Sequence, residues 1–110
     1  MAYDEELADR VRAQLGDEPG LTERKMFGGI GWMLEGNMAV GLMSGGLLVR
    51  LGPDAGAALE EPHTSAPAMG ASGRVMKGMV LVAPEGVETD EQLGAWIARG
   101  SDVARSLPPK

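Results

Sequence analysis

Arg24, Lys25, Arg50, Arg74 and Lys77 are five of the ten basic side chains in this 110-residue chain. All five fall in its middle, away from the acidic ends. A guanidinium offers a planar fork to carboxylate or phosphate. Clustered cations can therefore hold an acidic partner, a nucleotide or a nucleic-acid backbone. The same cations, placed at strand ends and edges, also discourage edge-to-edge pairing. The one histidine, His63, follows Glu60 and Glu61, and a general base or metal ligand is conceivable there. No second histidine or suitably spaced partner orients it, so it reads as a solvated loop residue. Methionines recur from Met26 to Met79, and thioethers can bind soft ions such as Cu(I). Split between two sheet faces, few of them can converge, and they read as adaptable core or interface fillers. The run Phe27-Gly28-Gly29-Ile30-Gly31 suggests a phosphate cradle, yet it lacks the lysine and hydroxyl of a P-loop. A strand follows it rather than a helix, so its glycines serve tight turns or close strand approach.

Composition narrows the chemistry further. The chain has no cysteine, which excludes disulfides, thiolate metal sites and cysteine nucleophiles. No catalytic constellation is visible, and no cofactor or metal is implied. Net charge is −6, which argues against broad nucleic-acid binding. Residues 1–23 carry seven acids and two bases, and residues 85–110 carry five acids and three bases. Residues 24–84 carry four acids and five bases. Acidic ends thus flank a nearly neutral, apolar middle. The first residues are acidic where a signal peptide would be basic and then apolar, and no stretch suits a membrane span. A cytoplasmic single domain over residues 1–110 is expected.

Periodicity supplies the elements that must position these residues. Leu7, Val11 and Leu15 mark a helix from Asp4 to Leu15, stopped by Gly16 and Pro19-Gly20. Strands follow over Thr22–Phe27, Ile30–Glu35, Met38–Met43 and Leu47–Leu51, joined by glycine-bearing turns. Pro53 to Leu59 suits a short helix, Glu60 to Gly73 a loop, and Val75 to Val82 one further strand. Thr89 and Gln92 have the spacing of a capping box, opening a helix in which Leu93, Trp96, Ile97, Gly100, Ala104 and Leu107 share one face. The expected fold is α+β with two layers, an antiparallel sheet of about five strands carrying N- and C-terminal helices.

Regular hairpins sort the side chains. One face receives Gly31, Met33, Met38, Val40, Leu42, Leu47, Val49 and Leu51. The other receives Ile30, Trp32, Leu34, Ala39, Gly41, Met43, Leu48 and Arg50, with Lys77, Met79 and Leu81 from the last strand. Both faces are apolar, whereas an antiparallel sheet usually solvates one. Two helices cover one face; the second is either buried by the loop 60–73 folding across it or exposes a patch around Trp32 that invites a homodimer or another protein.

Lys25-Met26-Phe27-Gly28-Gly29, the hairpin Gly31-Trp32-Met33-Leu34-Glu35-Gly36-Asn37-Met38 and Leu47-Leu48-Val49-Arg50 resemble the TfoX/Sxy N-terminal domain family. Arg74-Val75-Met76-Lys77-Gly78 and Pro84 fit its later part. The resemblance implies a secretion-chaperone-like fold, here as a short member carrying this domain alone. It also implies a regulatory role, since named members regulate natural competence alongside a transcription activator. The expected function is therefore a non-enzymatic regulatory or adaptor domain working through protein contacts. Arg24, Lys25, Trp32, Arg50, Arg74 and Lys77 are its candidate binding residues. The alternative is a small-ligand or nucleotide binder, even an enzyme, with Arg50, Lys77 and Arg74 around a pocket roofed by residues 60–73.

Overall fold

The computed structural model describes residues 3–26, 28–69 and 73–109. Helix α1 spans Glu5–Leu15 because Asp4 caps it, its carboxylate accepting from the Glu6 and Leu7 amides at 2.9 and 3.3 Å. Strands β1 (Leu21–Met26), β2 (Gly29–Leu34), β3 (Asn37–Met43) and β4 (Gly46–Arg50) form the expected meander. A 3₁₀ turn at Gly52–Asp54 leads into α2 (Ala55–Ala58). Strands β5 (Thr64–Ser65), β6 (Ala68–Met69), β7 (Arg74–Val75) and β8 (Met79–Val82) precede α3 (Asp90–Ser106). The antiparallel sheet has six strands in the order β1-β2-β3-β4-β8-β5, while β6 and β7 pair apart from it.

Three sequence expectations need correction. The sheet has six strands rather than five, because part of the segment expected as a loop pairs at the edge: Thr64 and Ser65 lie against Val82 and Leu81. His63 extends that ladder by accepting the Ala83 amide at 2.8 Å, and takes a left-handed φ of 67° to do so. The last strand does not run unbroken from Val75. It turns at Lys77-Gly78, where the Gly78 carbonyl accepts from both Leu51 and Gly52 at 2.8 and 2.9 Å. Gly78 has a left-handed φ of 77°, so glycine suits this corner. The end of the first strand at Phe27 lies outside the described residues.

The third correction matters most. Glu35 and Gly36 have φ of 55° and 84°, the pair of positive values that a type I′ turn needs. That turn sets Leu34 opposite Asn37 and Met33 opposite Met38, as expected. The register then slips, and Trp32 faces Val40 while Ile30 faces Leu42. Ala39 is the extra residue of a β-bulge, and a one-residue slip exchanges faces along the rest of the strand. Ile30, Trp32 and Leu34 therefore join Val40, Leu42, Leu47 and Val49 beneath the helices instead of opposing them. Met33 and Met38 pass to the other side.

The core lies between the sheet and helices α1 and α3, with Trp32, Leu47, Val80 and Leu93 among its fully buried side chains. Helix α3 approaches most closely at Gly100, where an added Cβ would stand 2.4 Å from the Ala39 carbonyl oxygen. The helix begins in a complete capping box: the Gln92 amide donates to Thr89 Oγ1 at 3.1 Å, and the Thr89 amide to Gln92 Oε1 at 3.0 Å. Thr89→Ala should cost about 1 kcal/mol in a denaturant titration. An unchanged midpoint would mean that the box does not hold this helix end.

Candidate functional site

The face of the sheet opposite the helices is assembled by register. One row crosses all six strands: Arg24, Gly31, Gly41, Leu48, Leu81 and Ser65. Beside it Thr22 pairs with Met33 and Met33 with Met38, and Arg50 stands opposite Met79. Met43, paired with Gly46, lies on the far side. The glycines form a floor and the methionines lie over it; a Cβ at Gly41 would stand 3.3 Å from the Met38 methyl carbon.

This face is less bare than the sequence suggested. Trp32, the expected centre of an exposed patch, is 1% exposed on the helix side, and Ile30 and Leu34 are buried with it. Met33, Leu48 and Met79 retain 8%, 5% and 7% of their exposure, while Met38, Met43, Leu81 and Arg50 are half-buried. Among the described residues, the large hydrophobic side chains that stand exposed are Leu59 and Val75.

The candidate binding residues divide between the two sides. Arg24 and Arg50 lie on the helix-free face, and Lys77 is exposed in the turn that leads into Met79. Lys25 alternates to the helix side with Trp32, so neither meets Arg50. Arg74 lies in β7, apart from the main sheet, and its side chain is outside what the structure describes. Segment 60–73 adds β5 to the sheet edge and β6 to β7; residues 70–72 lie outside the described ones.

Arg50 has an unusual setting. Its Nε–H donates to the Met38 carbonyl at 2.6 Å, which lays the side chain along the methionines. Among the described residues no carbonyl or carboxylate bonds its two Nη groups. The acid nearest in the sheet, Glu23, is on the other side, where it accepts from Trp32 Nε1 at 2.8 Å and from Arg12 at 2.8 and 3.1 Å. No sequence periodicity marks the Met38 carbonyl as the anchor for Arg50, because a backbone acceptor is set by register.

A second group joins the sheet edge to α3. Arg99 forks onto Glu61 at 3.0 and 2.9 Å and lies 4.4 Å over the Trp96 ring. With His63 and Gln92 these residues line a shallow groove of about 280 Å³. His63 is exposed there, in agreement with its reading as a loop residue. Among the described residues, no cluster of three or more His, Asp or Glu could hold a metal ion. No helix among the described residues is long and apolar enough to cross a membrane.

Two carboxyls sit below the ordinary value of 4.5: Glu23 through its hydrogen bonds from Arg12 and then Trp32, and Glu61 through that from Arg99. A lowered folded pKa adds stability that is present above the unfolded value and lost as pH falls through the folded one. Melting temperature should hold level from neutral pH down to about 5 and then fall below 4.5. Both side chains are more than one-third exposed, so solvent screens each contribution and the fall is modest. The double variant Glu23→Gln, Glu61→Gln should flatten it. An equally steep fall in that variant would assign the acid sensitivity elsewhere.

The family model described as the TfoX N-terminal domain matches residues 13–104. No curated protein and no solved structure matches the chain.

Proposed function

The chain belongs to the TfoX N-terminal domain family, and on that premise we propose a non-enzymatic regulatory or adaptor domain that works through protein contacts in the cytoplasm. The observation that carries this reading is the helix-free face, where half-buried Met38, Met43 and Leu81 lie beside buried Met33, Leu48 and Met79. Methionine side chains are unbranched and polarisable, so such a surface repacks around a partner's apolar groups. Rigid strands hold the backbone beneath while the side chains adapt. The role resembles that of the N-terminal domain of competence regulators.

Self-association through this face, expected when Trp32 was placed upon it, has lost that apolar centre to the helix side. Pairing the face with its own copy would also bring two cationic surfaces together. A partner other than a second copy fits better.

A photo-crosslinking residue at Met43 in the native cell tests the proposal, with the same residue at Glu91 on the exposed side of α3 as control. A single adduct of defined mass from Met43 and none from Glu91 is expected. Equal patterns from both positions, or no adduct from Met43, would overturn the contact-face reading. An adduct of twice the chain's mass would identify the partner as a second copy.

A further inference from the structure

Charge on the sheet is segregated by face. Among the described strand residues of the main sheet, Glu23 is the one acid, and it sits on the helix side. The helix-free face carries Arg24 and Arg50, with Lys77 in the adjoining turn, in a chain whose net charge is −6. Strand cations with no strand acid on their face of an acidic protein set up a local field opposite to that of the rest.

Arg50 ends β4 on that surface, opposite Met79. One of its donors is already committed to the Met38 carbonyl, which fixes the guanidinium plane against an apolar surround. Its remaining donors have no acceptor among the described residues. A half-buried guanidinium anchored at Nε, with both Nη groups open, matches a carboxylate, which can accept one N–H from each in parallel. The methionines beside it match apolar side chains next to that carboxylate.

The geometry points to an acidic-apolar protein segment as the partner, with a carboxylate docked on Arg50 Nη1 and Nη2 and neighbouring apolar side chains on half-buried Met38 and Met43. This rests on the contact-face reading and names the chemistry of what is contacted. Charge complementarity selects this occupant. A second copy would present cations to cations. A nucleic-acid strand would find three cations spaced by methionines, too few phosphate contacts for firm binding.

The test uses the full chain labelled at its methionine methyl groups and a synthetic peptide alternating glutamate with leucine. Parallel titrations use the same peptide with glutamine for glutamate, and oligothymidylate. The glutamate peptide should shift the Met38 and Met43 methyl resonances, and Arg50→Gln should weaken it about tenfold. Arg50→Lys, which keeps charge but loses the fork, should weaken it as well, and serves if the glutamine variant does not fold. Arg24→Gln at the sheet edge should act less, and its effect should fade with salt. Equal binding of the glutamate and glutamine peptides would overturn the acid recognition while leaving the contact face standing, since Met43 crosslinking decides the latter. Tighter binding of oligothymidylate, or no methyl shift with the glutamate peptide, would also overturn it.

Discussion

Trp32→Ala should lower the stability of this domain by roughly 3–5 kcal/mol, the range for truncating a buried aromatic where the surroundings cannot collapse. The indole is 1% exposed and lies opposite Val40, in the cluster that includes Leu47, Val49 and Trp96. Its Nε1–H donates to Glu23 at 2.8 Å, so truncation also removes one donor from a carboxylate that Arg12 still holds. Neighbours on two sides are strands locked in register, which limits relaxation into the cavity. Denaturant unfolding reads the loss directly. A loss below about 1 kcal/mol, the scale of an ordinary surface substitution, would mean that Trp32 is not in the core.

Gly100→Ala comes second, with an expected loss of about 2 kcal/mol. The added methyl would stand 2.4 Å from the Ala39 carbonyl oxygen and 3.0 Å from a Val40 methyl, so α3 must lift from the bulge. Removing a helical glycine returns up to about 1 kcal/mol, which the clash outweighs. Gly94→Ala on the same helix provides the contrast. Its nearest neighbour is the Gln14 amide at 3.2 Å, the end of a flexible side chain, and the result there should be neutral or stabilising. Equal effects at the two positions would show that α3 does not rest on Ala39.

These two positions also show what the sequence could and could not reveal. Helix ends were legible, because Asp4, Thr89 and Gln92 act through local spacing. The β3–β4 pairing was legible as well: a two-residue turn at Ser44-Gly45 puts Leu47 and Val49 with Leu42 and Val40. The bulge was not. Asn37-Met38-Ala39-Val40 has the same polarity with or without an extra residue, and its placement depends on α3 pressing Gly100 against Ala39. With the bulge at Ala39, Trp32 and Ile30 lie on the helix side and Met33 and Met38 away from it. Strand β5 escaped notice because Pro62 and Pro67 frame only two paired residues. Of the basic cluster, Arg50 kept its place with Met79 and Leu81, whereas adjacent Arg24 and Lys25 alternate to opposite faces. The fork of Arg99 on Glu61 joins residues far apart in the chain, which spacing does not reveal.

The sorting of side chains at the bulge underlies both the contact face and its charge, and proton–proton distances across the sheet measure it. Nuclear Overhauser effects from the Trp32 indole ring should reach the methyl groups of Val40, its cross-strand neighbour, and none should reach Leu48 or Met79. Contacts from Trp32 to Leu48 or Met79 would place the indole on the helix-free side and contradict the account.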